Sequence, residues 1–283
     1  MKTVLLQGGL GNQLFQLAWA YYIRDNEGST VKLDMEMLMH EKQHKGVSFE
    51  NLFGSDLGNI FLIERSQHVL NGSNIIGKMI RALMRCFNLR SFNGVLFDYD
   101  ATTPFEYCEL NKKDVYHYGY FQFVEAALFF RDFIRSSIFN LNEKCLNDFK
   151  IKYGDCVGIH IRRGDFLLSR NKLHSLPDKI DYLKAIKKFE GRKLVFFSDD
   201  ITWCRKEFAN LENVQFHAGC SAEEDFLALS TCRDFVLGGS TFSWWAAFLN
   251  ASSKTKIVYF NDIPLYMNEN SHRQVGWEYE RIK

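Results

Sequence analysis

The sequence predicts an α/β fold of parallel strands, divided between two domains. The chain has 283 residues, which is enough for two hydrophobic cores. Short apolar runs alternate with segments of helical periodicity, as they do where helices cover a parallel sheet. Hydrophobic residues make up 46% of the chain and charged residues 24%, a balance typical of globular proteins.

The strands predicted from the apolar runs are unevenly distributed along the chain. In order, the segments are TVLLQ, TVKLD, VGIHI, KLVFFS, NVQFH, DFVLG and KIVYF. Five of these seven follow residue 150, so their density predicts a nucleotide-binding type of unit from about Lys152 to Ile263. We therefore expect an N-terminal domain at residues 1–150 and a C-terminal domain at residues 151–283.

Composition argues against several classes of partner and location. The net charge of +1 gives no sign of nucleic-acid binding, so any anion site must be local. Cys156, Cys204 and Cys232 lie beside apolar runs and are expected to be reduced core residues, which predicts a cytoplasmic protein. No apolar run approaches the roughly 20 residues that cross a bilayer, and the first apolar stretch is too short for a secretory signal.

The segment IIGKMIRALMRCFNLR predicts an amphipathic helix in the first domain. Its two faces consist of Ile76, Ile80, Leu83 and Phe87 on one side and Lys78, Arg81 and Arg85 on the other. Such a helix either makes peripheral contact with an anionic membrane, here the inner membrane, or packs on the core with a solvated basic face.

Two segments are similar to metal sites, and a simpler interpretation competes with each. HEKQH, from His40 to His44, matches a zinc-protease pattern, but the polar residues around it favour the end of a surface helix. VLFDYD places Asp98 and Asp100 after a predicted strand. They would either clamp a divalent cation on a diphosphate or form a turn, and the clamp is kept as an alternative.

Two further motifs have other interpretations. GGLGNQ follows the first predicted strand and is similar to a dinucleotide-binding loop, but Leu14 replaces its third glycine. Asp34 is the candidate for the acidic ribose partner, so a reductase remains an alternative. The tripeptide RGD at Arg163–Asp165 also occurs in adhesion proteins, but its first residue lies too close to a buried strand for that role.

Three segments carry polar groups where a predicted strand ends. They are VGIHIRRGD with His160, Arg162, Arg163 and Asp165, VFFSDD with Ser198, Asp199 and Asp200, and DFVLGGSTFS with Gly238 to Ser243. In open parallel sheets, ligands bind where such ends converge. These segments therefore predict the functional site.

An anionic ligand fits this set of residues. The glycines before Ser240 let the backbone approach a ligand, and a helix starting there points its N–H groups at the same place, although a Ser-capped helix explains the pattern equally well. Guanidinium groups match phosphate oxygens and would neutralise a departing diphosphate. Because side chains alternate along a strand, Arg162 is the expected phosphate ligand and Arg163 a supporting residue.

The segment CSAEEDFLALSTC predicts a capped helix start. Ser221 and Glu224 form a capping box, and Asp225 follows in the first turn. The Asp225 carboxylate either stabilises the helix dipole or accepts hydrogen bonds from the N1–H and amino groups of guanine.

Four segments together resemble the motifs of bacterial α-1,2-fucosyltransferases, which belong to glycosyltransferase family 11 with the blood-group type enzymes. They are GGLGNQLFQLAWAYY, HIRRGDF, FSDDITWC and DFLALSTCRDFVLGGSTFSWWAAFL, in the family's order and spanning nearly the whole chain. The resemblance implies two Rossmann-like domains facing a cleft, the GT-B arrangement. It also implies that the second domain binds GDP-fucose, that the first lies on the acceptor side, and that no metal cofactor is needed.

The resemblance also implies roles for single residues. Arg162 would contact the β-phosphate, and His160 with Asp225 would bind guanine. Asn12 and Gln13 would face the reaction centre. The residues expected along the phosphates are Ser240, Thr241, Phe242 and Ser243.

The chain departs from the family pattern at three positions. Gly239 stands where many bacterial members have Asn, Ala246 where they have Gly, and Phe166 where Tyr is frequent. These departures leave the acceptor open, and the donor open between fucose and a related GDP-deoxyhexose such as colitose.

The implied reaction is one displacement at the anomeric carbon, which turns a β-linked donor into an α-linked product. The resemblance implies that the acceptor is the 2-hydroxyl of a β-galactoside, in a lipid-linked O-antigen or capsule repeat. A carboxylate should take the proton of that hydroxyl. Asp165 is the first candidate, although an ion pair with Arg163 explains it equally well, and Asp199 and Asp200 are further candidates.

The sequence leaves two alternative functions open. One is a metal-dependent glycosyltransferase that uses Asp98 and Asp100. The other is a module that binds a nucleotide sugar or a glycan without turnover. Activity in EDTA would separate the first from the implied enzyme, and turnover would separate the second.

Overall fold

The computed structural model describes residues 1–40, 50–53, 58, 61–64, 75–87, 91–92, 94–98, 115–164, 177–250, 254–260, 273 and 275–282. The chain divides into two compact units, Met1–Leu141 and Asn142–Lys283. Within the described residues, each unit contains a six-stranded sheet with helices.

The first unit contains a mostly parallel sheet in the order β3-β2-β1-β6-β5-β4. Its described strands are β1 Lys2–Leu5, β2 Val31–Asp34, β3 Leu62–Glu64, β4 Ser91–Phe92, β5 Val95–Asp98 and β6 Val115–Gly119. Strand β4 runs antiparallel to β5, and the other pairs are parallel. Its described helices are α1 Leu10–Glu27, α2 Glu36–His40, α3 Glu50–Phe53, α4 Ile75–Cys86 and α5 Val124–Leu141.

The second unit contains a fully parallel sheet in the order β12-β11-β10-β7-β8-β9. Its described strands are β7 Val157–Ile161, β8 Leu194–Ser198, β9 Val214–Phe216, β10 Asp234–Leu237, β11 Lys256–Phe260 and β12 Glu278–Ile282. Its described α-helices are α6 Glu143–Tyr153, α7 Lys179–Ile186, α8 Ile201–Phe208, α9 Ala222–Ser230 and α10 Thr241–Leu249.

Close packing in the second unit depends on a glycine in its central strand. Strand β7 is buried at every position. A Cβ at Gly158 would lie 2.7 Å from Leu229 Cδ1 and 3.1 Å from Cys232 Sγ. Only glycine therefore lets helix α9 lie this close to the sheet, because interiors are packed without spare volume.

The predicted α/β class with two parallel sheets is confirmed, and VGIHI and KIVYF match β7 and β11 residue for residue. Cys156, Cys204 and Cys232 are buried free thiols, as predicted. The predicted domain division after residue 150 falls inside α6, which belongs to the second compact unit. The arrangement of the two domains across a cleft stays a prediction.

Candidate active site

Three loops of the second unit start at the carboxyl ends of neighbouring strands. Strand β7 lies between β10 and β8, and all three are parallel. His160 pairs with Leu237, and Ile161 pairs with Ser198. The loops that begin at Arg162, Asp199 and Gly238 therefore share one edge of the sheet, as the sequence predicted.

Asp199 ties the loop after β7 to the end of β8. Its carboxylate accepts hydrogen bonds from the backbone N–H groups of Arg163, at 2.8 Å, and Gly164, at 3.0 Å. The same carboxylate lies 3.1 Å from Nε of Arg162. Because Nε is engaged on the carboxylate, Asp199 restricts the orientation of the Arg162 guanidinium.

Arg163 packs against helix α8. Its guanidinium lies 3.9 Å from the ring centroid of Trp203, and its Nε lies 3.3 Å from Asp200. Asp200 also caps α8 by accepting a hydrogen bond from the Trp203 N–H at 3.0 Å. Arg163 therefore contacts Trp203 and Asp200, and its supporting role at a phosphate stays a prediction.

The turn before α10 has the features of an anion site. Gly239 has a φ of +84°, a left-handed conformation that glycine adopts without strain. Ser240 precedes the helix without a side-chain cap hydrogen bond. A Cβ at Gly238 would lie 2.6 Å from Tyr182 Oη, so the strand end is packed tightly on α7.

Phe242 and Ser243, in the first turn of α10, have different surroundings. Phe242 is partly exposed, and its ring stacks on His160 at 5.1 Å and meets Phe226 edge-on at 5.4 Å. Ser243 is fully buried and donates a hydrogen bond to the Ser240 carbonyl at 3.1 Å. The Ser243 hydroxyl is thus used within the turn, whereas Ser240 and Thr241 are partly exposed.

His160 is a neutral, buried histidine. Its side chain is enclosed by the sheet and Phe242, and burial, assisted by the charge of Arg162, lowers its pKa to about 3. The ring therefore contributes one donor and one acceptor, never a charge, to any ligand at this edge.

Asp225 lies in the first turn of α9, next to a histidine that sequence reasoning overlooked. Its Oδ1 is 3.2 Å from Nε2 of His217, and Nδ1 of that ring is 2.9 Å from Tyr153 Oη. His217 directly follows β9, so NVQFH ends in histidine, and VGIHI likewise has a histidine, His160, next to its last residue. A histidine at the end of a predicted strand was the signal that could have identified His217. Ser221 caps α9 as predicted, but Glu224 accepts from the Cys220 N–H.

The first unit carries uncharged polar groups at the corresponding loop. Asn12 lies in the first turn of α1, and Gln122 donates a hydrogen bond to its Oδ1 at 2.9 Å. Gln13 is fully buried and donates to the Gly8 carbonyl at 2.7 Å, so it supports the loop from within. Of the two predicted residues, Asn12 is the partly exposed one.

The reductase alternative is wrong about Asp34. This residue is fully buried, and its carboxylate accepts hydrogen bonds from Tyr116 Oη at 2.7 Å and from the Glu36 N–H at 3.0 Å. Asp34 stabilises the end of β2 and is not presented to a ribose.

Several predicted residues lie outside the described part of the chain. They are Asp165, Phe166, Asp100, His44 and the side chains of His40 and Asp98. Among the residues that are described, no group of three or more His, Cys, Asp or Glu side chains is placed to hold a metal ion.

Comparison with known proteins assigns the family. The family model named Glycosyl transferase family 11 matches residues 1–281. The chain belongs to this family. It is 30% identical over 261 residues to an alpha-1,2-colitosyltransferase of Escherichia coli, covering 86% of each chain. It is also 30% identical over 281 residues to an O-antigen biosynthesis glycosyltransferase of Escherichia coli, covering 89% of this chain and 91% of that one.

Solved structures support the fold. The fucosyltransferase NodZ from Bradyrhizobium matches with a TM-score of 0.54 at 17% identity, covering 93% of this chain and 96% of that chain. A second NodZ structure, described as an alpha-1,6-fucosyltransferase co-crystallised with GDP, matches with a TM-score of 0.53 at 15% identity. The chain is therefore a family 11 glycosyltransferase, and its fold is similar to that of NodZ.

Proposed function

We propose that the protein is an inverting α-1,2-fucosyltransferase that moves L-fucose from GDP-fucose to the 2-hydroxyl of a terminal β-galactoside. The observation that carries this proposal is Arg162, held by Asp199 beside the glycine turn before α10. A directed guanidinium and a helix N-terminus together suit a diphosphate. NodZ, which shares the fold, was crystallised with GDP.

In this proposal the second unit stabilises the leaving group. As the bond between fucose and the β-phosphate breaks, negative charge grows on the phosphate oxygens. Arg162 and the first turn of α10, with Ser240 and Thr241, neutralise that charge from fixed positions. Arg163 acts indirectly by stacking on Trp203 and keeping the loop in place.

The base is a separate assignment within the proposal. The Asp199 and Asp200 carboxylates are both occupied by arginine and backbone donors, which makes them poor acceptors for a substrate proton. We therefore retain Asp165 as the general base and Asn12 as a residue that orients the acceptor hydroxyl. Asp225 and His160 are assigned to the guanine.

The test offers the purified protein GDP-fucose and GDP-colitose with a panel of β-galactosides, with and without EDTA. We expect fucose transfer that persists in EDTA, with an α-1,2 linkage in the product. Transfer from GDP-colitose alone would replace fucose by colitose, the donor sugar of the Escherichia coli relative. Loss of activity in EDTA that Mg²⁺ or Mn²⁺ restores would favour the alternative using Asp98 and Asp100. GDP binding without turnover would favour a binding module.

We further propose that the acceptor is lipid-linked and that α4 contacts an anionic membrane surface. Among the described side chains of α4, Ile80 and Met84 pack on the core of the first unit, and the Arg81 guanidinium lies 5.8 Å from the ring centroid of Tyr118. The other large apolar side chains are more than half exposed: Ile75, Ile76, Met79, Leu83 and Phe87. The predicted single apolar face is therefore divided between the core and an exposed flank.

The charge of α4 fits this partner. The helix carries Lys78, Arg81 and Arg85 and no acidic residue. Exposed apolar side chains insert into the interface of a bilayer, and neighbouring basic residues are attracted to anionic headgroups. The hydrophobic and the electrostatic contributions to binding then add. No helix among the described residues is long and apolar enough to cross a membrane.

Vesicle co-sedimentation tests this contact. We expect the protein to sediment with vesicles of phosphatidylglycerol and phosphatidylcholine but weakly with phosphatidylcholine alone, and Leu83→Glu to release it. The matched control is Ile151→Glu, at an isoleucine of the second unit that is 87% exposed. Equal loss with both variants would contradict the assignment, as would a dimer in sedimentation velocity that Leu83→Glu dissolves.

A further inference from the structure

His217 is a buried histidine at the same sheet edge as the proposed donor site. It follows β9 directly, and its backbone N–H donates to the Phe196 carbonyl at 2.9 Å, so its position is set by the sheet. Its side chain is only 5% exposed, and its ring is surrounded by the rings of Tyr153, Phe149 and Phe197. A histidine in such a place needs hydrogen-bond partners for both nitrogens.

Its partners form a short chain that ends on Asp225. Tyr153 Oη lies 2.9 Å from Nδ1, and Asp225 Oδ1 lies 3.2 Å from Nε2. Within the described residues, neither Nε2 nor Oδ1 has another hydrogen-bond partner, and both atoms are fully buried. Leaving two such atoms unpaired is unfavourable, so they pair with each other.

The chemistry of the three groups determines the direction of the chain. An ionised carboxylate only accepts hydrogen bonds, so Nε2 of His217 carries the proton. In the neutral ring Nδ1 then has a lone pair, and the Tyr153 hydroxyl donates to it. Asp225 therefore selects the tautomer of His217, the Tyr153 hydroxyl donates to its Nδ1 and fixes the ring, and His217 holds one oxygen of Asp225.

The geometry leaves the other oxygen of Asp225 for a ligand. The Asp225 side chain is 32% exposed although Oδ1 is buried, so its accessible part lies on the side of Oδ2. Gly219 makes this arrangement sterically feasible, because a Cβ there would lie 2.2 Å from Oδ1 and 3.0 Å from Nε2. No larger residue fits at position 219 without displacing the carboxylate.

We propose that His217 and Tyr153 are positioning residues that fix Asp225 for recognition of the guanine base. This inference rests on the proposed function, because it needs a guanine nucleotide as donor. It assigns base selectivity to two residues that do not touch the nucleotide. Guanine offers a 2-amino group to a carboxylate and hypoxanthine does not, so the ratio of GDP to IDP affinity measures the alignment of Asp225.

The experiment measures dissociation constants for GDP and IDP by calorimetry on the full chain. We expect the wild type to prefer GDP at least tenfold. His217→Phe keeps an aromatic ring but removes the donor, and it should reduce the preference to about twofold or less. His217→Gln places an amide N–H near the position of Nε2 and should restore most of it. Tyr153→Phe should give an intermediate loss.

The outcomes separate this inference from the proposed function. A wild type that does not prefer GDP over IDP would overturn the guanine assignment itself. A wild type that prefers GDP, with His217→Phe retaining the preference, would overturn the positioning role alone. Equal weakening of GDP and IDP in all three variants would mean a purely structural role. If His217→Phe does not fold by circular dichroism, the Gln and Tyr153→Phe variants decide the question.

Discussion

The two sheets end in loops of different chemistry. After β1, the loop and first turns of α1 carry the amides Gln7, Asn12, Gln13 and Gln16. After β7 and β8, the loops carry Arg162, Arg163, Asp199 and Asp200. Amides hydrogen-bond neutral hydroxyl groups, whereas guanidinium groups pair with phosphate. The comparison therefore supports the proposal that the charged loops of the second unit bind the nucleotide and that the uncharged loop of the first unit, where Asn12 is partly exposed, meets the acceptor.

The amide loop is held by bonds that involve no charge. Gln16 donates to the Gly119 carbonyl at 2.8 Å and accepts from the Gln7 N–H at 3.0 Å. The charged loop is instead held by one carboxylate, Asp199, that binds two backbone N–H groups and an arginine. A variant in one unit should therefore change the binding or turnover of one substrate and leave the binding of the other substrate unaffected.

The largest effect is expected for Arg162→Ala. Removing a fixed cation from a developing anion lowers kcat by about 100- to 1000-fold, with the fold retained. The measurement is transfer from GDP-fucose together with the affinity for GDP. Arg205→Ala is the matched control, because that exposed arginine contacts Phe216 and not the loop edge. A near-normal rate for Arg162→Ala would exclude the site.

A smaller effect is expected for Asp199→Asn. An amide accepts at one atom only, so the three donors that now share the carboxylate lose alignment, and kcat/KM should fall about tenfold or more. The partner variant Asp200→Ala removes the α8 cap and should mainly lower the free energy of unfolding by about 1 kcal/mol. Kinetics and urea unfolding of both proteins check this. Equal kinetic losses would show that Asp199 has no special role.

Gln122→Leu tests the first unit. It removes the donor to Asn12 Oδ1, so the Asn12 amide loses one of the contacts that orient it. We expect KM for the acceptor to rise severalfold or kcat to fall severalfold, with the dissociation constant for GDP unchanged. Weaker GDP binding in this variant would break the comparison between the two units.

An effect on stability alone, without a change in catalysis, is expected in mild acid. Burial, assisted by the charge of Lys2, lowers the pKa of His117 in the first unit to about 3. In the unfolded chain this histidine binds a proton near pH 6.5, whereas in the folded chain it stays neutral until about pH 3. Its contribution to the free energy of unfolding is therefore complete above pH 6.5 and is lost progressively as the pH falls towards 3.

His117→Asn should make the stability curve flatter. The wild type should lose about 2 kcal/mol from this histidine between pH 7 and pH 5, and the variant should not. Asn keeps an acceptor near the position of Nδ1, which now receives the Trp19 indole N–H. Denaturant unfolding at the two pH values measures the difference. Parallel pH dependence in both proteins would contradict the assignment.

Sequence reasoning succeeded where the pattern is local. The runs VGIHI and KIVYF are β-branched and apolar, and both form strands with the predicted bounds. It missed β6, VYHYG, because aromatic residues and a histidine replace the usual aliphatic run. It also missed β12, EYERI, an edge strand whose charged residues are tolerated because only one side pairs.

The site was predictable in outline and not in its contacts. The sequence placed Arg162 and the Gly238 turn at strand ends, and the parallel register brings them to one edge. It listed Asp199 and Asp200 as candidate bases, and both instead bind arginines and backbone N–H groups. No local sequence pattern predicts these contacts, because Asp199 and Arg163, for example, are 36 residues apart in the chain.

The sequence by itself determined the class of fold, the family and the strand ends that carry charge, because periodicity, glycine turns and motifs are local properties. The tertiary structure decided which side chains are committed to each other: Arg162 to Asp199, Arg163 to Asp200, and Asp225 to His217. These pairs join residues from different loops, so their geometry exists only once the parallel strands have set the register of the sheet edge.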